Sequence, residues 1–413
     1  MSESKVEGYN HVPAAPSPGT RTAGLGQALI LLLARCMGVL GAVLLTPVLP
    51  KMQDAFDGTA GADILVPVTL TAPALMIGLL SLVAGSVADR LGRKGLLVGA
   101  LLVYALVGTA PLWLDSLPLI VGSRVLVGVC EAAIMTCCTT LIADHFDGHR
   151  RDKYLGLQVV FTNISAIAFF GLGGVLGGAG WRTPFWLYAV GLALAVLVAL
   201  FVRQPASGAE RGTLQPVPWR SLRKPVCVSL LGGVVFYTPI VELSYVLDGI
   251  GVESTATIGQ VSAASGVATA LGGVVFGRVS RSGPRTLLPL AFGLAGAGLV
   301  GMALGSQIAV VAVGAVIACA GTGLLLPTLL TWAISSLGYE ERGRGTGLWT
   351  AAFGIGQFFC PLAVLALSAR LGGLSAAITA VGAVSLAMAL AVVAVVGRSE
   401  VGTFRAVTAD NES

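Results

Sequence analysis

Four ionisable side chains stand inside otherwise apolar runs: Arg35, Arg124, Glu131 and Glu242. A charge at the centre of a bilayer costs about 2.5 to 3.5 kcal/mol on insertion scales, so each needs a partner, water or a task. Arg124 and Glu131 are seven residues apart, about 700° of helical rotation, and so share one helix face. The same seven residues rise about 10 Å, too far for an ion pair within that helix. Each must therefore find its partner elsewhere. Arg35 lies eight residues into its run and Glu131 about ten from the matching end of its own, which places both roughly 12 to 15 Å deep. Two chemistries suit Glu131. It either takes up and releases a coupling proton, its affinity switched as an arginine approaches and withdraws, or it forms a permanent structural ion pair. Arg35 also suits an anionic substrate. Glu242, near Tyr237, Pro239 and Tyr245, either binds a cationic substrate or is an exposed rim carboxylate.

Uncharged polar groups add a second set of candidates. Gln158 and Asn163 interrupt one apolar run, and Trp349, Phe353 and Gln357 step by four along another. That step keeps the last three on one helix face, an aromatic and amide stripe suited to amphipathic ligands or to plain packing. The three histidines lie in a tail or a loop without ligand company, and the seven cysteines fall inside or at the rim of apolar runs. No metal site and no disulfide are expected. Neither a phosphate-binding loop nor a nucleophile beside a base appears, so no cofactor, ATP-driven step or enzyme activity is expected.

The elements that must position these groups follow from composition. The chain has 413 residues, 55% hydrophobic and 11% charged, where a soluble domain carries about 25% charged residues. Twelve runs are long enough to span a bilayer: Gln27–Leu49, Ile64–Val87, Gly95–Leu114, Leu117–Leu141, Tyr154–Leu176, Pro184–Phe201, Val226–Leu247, Thr257–Val275, Leu287–Leu304, Ile308–Ile334, Gly345–Leu367 and Ser375–Val396. With the N-terminus cytoplasmic, that side gathers nearly all the loop lysines and arginines, and only Lys51, Arg182 and Arg370 fall opposite. The net charge of +5 thus orients the chain in a membrane rather than pointing to nucleic acid. Residues 1–24 read as a disordered cytoplasmic tail, 25–202 as a six-helix bundle, 203–224 as a cytoplasmic linker, 225–397 as a second bundle and 398–413 as a cytoplasmic tail.

A duplication supports the two halves. Gly85-Ser86-Val87-Ala88-Asp89-Arg90-Leu91-Gly92-Arg93-Lys94 sits between the second and third runs, and a diluted copy lies at Ser280–Arg285. One offset aligns Arg90 with Arg281, Gly92 with Gly283 and Lys94 with Arg285, and also Arg151, Lys153 and Gly156 with Arg342, Arg344 and Gly347. Repeats of this kind are a transporter signature.

Over nearly its whole length the chain resembles the major facilitator superfamily. Gly85 to Lys94 matches that family's loop motif apart from the inserted Ser86. The Arg124–Ala132 segment matches its helix 4 motif, with glycine at 128, and Trp181–Phe185 resembles its entry to helix 6. The resemblance implies an all-α membrane protein of twelve helices in two pseudo-symmetric six-helix bundles. It implies a conformational latch at Gly85, Asp89, Arg90, Gly92, Arg93 and Lys94. It implies that Arg124 organises helix 4, with snorkelling to the outer surface as the alternative. In that fold helices 1 and 4 both line the central cavity, which brings Arg35 within reach of Glu131. Drug–proton antiporters of the family carry Gly-Pro in helix 5, where this chain has Phe169 and Phe170.

The expected protein is therefore a secondary transporter in a cell inner membrane, a monomer with both termini cytoplasmic. Its partners would be a small-molecule substrate, protons and lipid. Proton coupling falls to Glu131, Arg124 and Arg35. Substrate contacts fall to Arg35, Glu242, Tyr237, Gln158, Asn163, Trp349, Phe353 and Gln357. Efflux of an amphipathic molecule is the leading expectation, and proton-driven uptake of an organic anion the alternative.

Overall fold

The computed structural model describes residues 24–204 and 219–396, apart from 336, 339 and 340. The tails expected at 1–24 and 398–413, apart from Gly24, and most of the linker fall outside these residues. Twelve helices among the described residues are long and apolar enough to cross a membrane. The first six are α1 Leu25–Ala55, α2 Ala62–Leu80, α3 Arg93–Leu112, α4 Leu117–His145, α5 Gly148–Gly177 and α6 Thr183–Phe201. The rest are α7 Leu222–Gly249, α8 Thr255–Ser282, α9 Pro284–Leu304, α10 Ile308–Ser335, α11 Arg342–Leu371 and α12 Leu374–Ala394.

Most helices outrun their apolar stretches, because backbone hydrogen bonding continues past the hydrocarbon wherever no breaker intervenes. Two expectations need correction. The first run does not stop at Leu49: regular helix ends at Val43, a 3₁₀ turn covers Thr46–Val48, and helix resumes over Leu49–Ala55. Pro47 and Pro50 lack the N–H groups that would continue the ladder, so the break sits where they fall. The second run does not reach Val87 as one helix. It ends at Leu80, and a turn leads into a short helix, Ala84–Leu91. That turn is pinned by Ser81, whose Oγ donates to the carbonyls of Gly78 at 2.6 Å and Gly347 of α11 at 2.9 Å.

Packing repeats between the halves. In the first bundle α1 meets α4 and α5, α2 meets α4, and α3 meets α4 and α6. In the second, α7 meets α10 and α11, α8 meets α10, and α9 meets α10 and α12. The pairs correspond under a shift of six helices. The backbone agrees: Gly92 and Gly283, aligned by the sequence repeat, have φ of +83° and +82°, a region that glycine alone enters freely. Lys94 and Arg285, also aligned, repeat one job. Lys94 Nζ donates to the Ala199 carbonyl at 2.8 Å and Arg285 Nη2 to that of Val393 at 2.9 Å. Each cation thus neutralises the negative end of the sixth helix of its own bundle.

Across the bundles α1 meets α7 and α8, and two further helix pairs form the main joints, α5 with α8 and α2 with α11. Their tight zones differ. At Gly174 a Cβ would lie 2.5 Å from the Thr255 carbonyl oxygen and 2.8 Å from Gly259 Cα, so α5 and α8 touch backbone to backbone at the ends away from Arg278. Only glycines permit that approach. At Gly354 a Cβ would lie 2.6 Å from the Ala74 carbonyl, and Gly347 sits against Ser81. So α2 and α11 close toward the side that carries Arg90, Arg93 and Arg342, hereafter the basic side. Between these seams lies the central cavity.

Candidate functional site

Glu131 is fully buried midway along α4. Its Oε1 accepts a hydrogen bond from the Gly41 backbone N–H at 3.2 Å, and its Oε2 has no partner. A Cβ on Gly41 would stand 2.5 Å from Oε1, so only glycine lets the carboxylate reach the α1 backbone. The same turn of α1 is held twice more. Tyr104 OH on α3 donates to the Met37 carbonyl at 2.8 Å. Tyr237 OH on α7 crosses the interface between bundles to donate to the Ala42 carbonyl at 3.1 Å. A longer contact, 3.4 Å, reaches Leu70 of α2. Glu131 also borders a small cavity of about 100 Å³ between α2 and α11.

The expected Arg35–Glu131 contact is absent, and the helix register explains why. Gly41 faces Glu131 and Gly38 faces Met135, so α1 and α4 run antiparallel with each step along one matched by a step back along the other. Arg35 therefore lies level with Cys138, six residues or about 9 Å from the Glu131 level. Extension of α4 to His145 causes the displacement, since it sinks Glu131 deeper than its apolar run implied. Arg35 instead borders a central cavity of about 690 Å³, with a buried Nη1 that has no hydrogen-bond partner.

Arg124 does not snorkel. It is fully buried, and its Nη2 donates to the carbonyls of Val107 at 3.0 Å and Gly108 at 2.8 Å, near the end of α3. Its guanidinium lies 5.1 Å from the Phe185 ring and 4.8 Å from that of Tyr188. Arginine is suited to this place because its planar fork meets carbonyls at the edge while aromatic rings cover its face. Arg124 thereby ties α4 to α3 and α6 through Nη2 and the ring contacts, while its buried Nη1 has no hydrogen-bond partner.

The other candidates divide. Gln158, Asn163, Tyr237 and Gln357 border the central cavity. Phe353 borders only the small one, whereas Trp349 borders neither and stacks on Phe353 at 5.3 Å between centroids. Only the upper part of the expected stripe thus faces open space. Glu242 is not at a rim: it is 5% exposed, makes no ion pair among the described residues, and borders neither cavity. Two cavity groups escaped sequence reasoning. Ser262 and Ser265 on α8 are buried, border the central cavity and have hydroxyls without partners. Their signal was a pair of hydroxyls three residues apart on one helix face. No group of three potential metal ligands occurs among the described residues.

The expected latch residues form a real ionic cluster with one missed member. Arg93 binds Asp89 at 2.7 Å and also pairs with Asp144, near the end of α4. Asp144 was legible as a carboxylate closing an apolar run. The Lys94 backbone N–H donates to Gln204 Oε1 at 3.1 Å. Arg90 and Gly85 point away from packing and are exposed. The second half has Ser280, Pro284 and Ser335 where the first has Asp89, Arg93 and Asp144, so the three charges of the clasp are not repeated at the aligned positions.

A family model described as Major Facilitator Superfamily matches residues 31–253 and again 229–409. The chain belongs to the major facilitator superfamily. It is therefore a multi-pass membrane transporter of small molecules, not an enzyme. Among curated relatives, the class G tetracycline resistance protein of Vibrio anguillarum is 28% identical over 384 residues, covering 87% of this chain and 94% of that protein. The class C tetracycline resistance protein of Escherichia coli is 27% identical over 231 residues, covering 54% of this chain and only 56% of that protein. Among solved structures, a D-xylose–proton symporter matches with a TM-score of 0.74 at 15% identity, covering 89% of this chain and 96% of that one. A bacterial homologue of the lysosomal transporter Spinster matches with a TM-score of 0.72 at 16% identity, covering 93% and 94%. Both likenesses concern the fold.

Proposed function

We propose that this transporter exports a small amphipathic molecule in exchange for protons, as a monomer in a cell inner membrane with both termini cytoplasmic. Glu131 is the observation that carries the reading. A carboxyl group is fully buried on a helix beside the seam between bundles, with one oxygen on a backbone N–H and the other on nothing. Its proton balance depends on whether water or a cation reaches it, and a rocking motion at the seam changes that access. Tyr237 connects the same α1 turn to the other bundle, which gives the carboxyl a mechanical route to the rocking motion. Arg93 with Asp89 and Asp144 would latch the basic side. The tetracycline resistance proteins among the relatives support the outward direction.

Everted vesicles with an imposed acid interior test the reading, with tetracycline and a panel of amphipathic dyes as probes. An exporter accumulates substrate inside, and Glu131→Gln reduces that accumulation to the level of vesicles without a gradient. Undiminished gradient-driven accumulation by the variant would remove Glu131 from the coupling step. A second reading has one observation in its favour: the unpaired Nη1 of Arg35 at the cavity wall suits uptake of an organic anion with protons. A symporter would drive substrate out of the same acid-loaded vesicles.

A further inference from the structure

We infer that the central cavity holds an amphiphile of the surrounding leaflet, its anionic headgroup between Arg35 and the Ser262–Ser265 pair and its chain passing out between α5 and α8. This rests on the transporter reading above and names a substrate class for it. The first observation is the gap itself. Around Gly174 and Gly259 the two helices touch backbone to backbone, and at Gly266 the Ile167 and Phe170 side chains still meet α8, but nearer the basic side Val160, Ile164 and Val274 form cavity wall. Those residues are also outer surface: Val160 is 49%, Ile164 60% and Val274 54% exposed. On α5 they continue an outward row through Leu172 and Val175, and on α8 through Val267 and Leu271. In a bilayer such rows face acyl chains, so the cavity opens sideways into lipid rather than only toward water.

The second observation is chemical. Four buried polar groups at the cavity lack partners: Arg35 Nη1, Gln158 Nε2, Ser262 Oγ and Ser265 Oγ. Two of them, Arg35 Nη1 and Gln158 Nε2, only donate, and the hydroxyls can donate. Buried donors left open in this way are costly unless a ligand or water accepts from them. Among the described residues Arg35 is the only charged side chain on the cavity wall, and Glu131 borders the neighbouring small cavity, which shares Ala42, Tyr237 and Gln357 with it. The unmet demand is therefore for an acceptor group of negative charge. The donors come from both bundles, Arg35 and Gln158 from the first and the serines from the second, so such a headgroup would bridge the seam that rocks. The remaining wall is mostly aliphatic and aromatic and leads to the gap, which suits a hydrocarbon tail.

The test uses the full chain in proteoliposomes with no ion gradient, so failure of Glu131 as a coupling group would leave its outcome untouched. Val160→Trp places an indole at the gap, and its fluorescence is taken as the difference from the parent, which has six tryptophans. Spin-labelled stearate should quench the added indole at a concentration at least about tenfold below its methyl ester, the scale of one charge-assisted hydrogen bond. Excess laurate should relieve the quenching, and dodecyltrimethylammonium should not. Arg35→Gln should abolish the preference for acid over ester, while Arg35→Lys should keep most of it. Thermal stabilisation of the parent by laurate gives the same comparison without the added indole. Equal quenching by acid and ester would overturn the proposal, because the gap would then be ordinary lipid contact. A preference that survives Arg35→Gln would overturn it equally. Relief by butyrate as effective as by laurate would exclude a tail lodged in the gap.

Discussion

The backbone contact between α5 and α8 makes one substitution informative about the transport cycle. Gly174→Val puts a Cβ 2.5 Å from the Thr255 carbonyl and 2.8 Å from Gly259 Cα. Carbon atoms settle at about 3.5 Å or more, so the helices must part by roughly 1 Å at this point. Overpacking of this kind costs about 1 to 3 kcal/mol. The strain falls on the contact between bundles and not within either one, so it acts on the equilibrium between closed and open arrangements of this side. At about 2 kcal/mol the ratio of the two shifts roughly thirtyfold. Spin labels report it directly: Ala179→Cys and Glu253→Cys lie on exposed positions flanking the contact, in a background where the exposed Cys227 is replaced. The expected result is a longer label-to-label population in Gly174→Val. Gly171→Ala serves as control, since no atom lies within 4 Å of a Cβ there. An unchanged distance distribution in Gly174→Val, with the protein folded, would refute the claim that this glycine contact governs closure.

Two further predictions concern stability. Arg124→Met removes two hydrogen bonds to carbonyls of α3 and the cation between Phe185 and Tyr188. With the saved desolvation offset against these, a loss of about 2 to 4 kcal/mol is expected in equilibrium unfolding in mixed micelles. Arg124→Lys should recover only part of it, because an ammonium cannot stack between the rings. Gly92→Ala and Gly283→Ala should each cost about 1 to 3 kcal/mol, since both force a side chain onto positive φ. Gly95→Ala, in open space within α3, should be neutral or stabilising by the same measurement.

The helices were legible because bilayer thickness fixes the length of an apolar run, and the break in α1, although it falls inside the single run from Gln27 to Leu49, was legible in Pro47 and Pro50. The break after Leu80 was not. It is held by a hydrogen bond between residues 266 positions apart, and local hydropathy carries no trace of such a partner. The same limit shaped the site. Glu131, Arg35 and Gln158 stand out as polar groups in apolar surroundings, so sequence found them. Which of them meet depends on where helices end, and four polar-flanked residues at the end of α4 moved Glu131 by about 6 Å relative to its apolar run. Gly41 escaped notice because a glycine in a glycine-rich helix looks like packing, although here it admits a carboxylate. Ser262 and Ser265 escaped for the same reason.

Tyr237 grips α1 and α2 by main-chain oxygens, not by side chains. Every amino acid supplies that acceptor, so exchanges at Ala42 or Leu70 that preserve volume leave the bond intact, while loss of the phenol at 237 removes it outright. Random mutagenesis would accordingly register this crossing as a single sensitive position, although two helices of the opposite half take part.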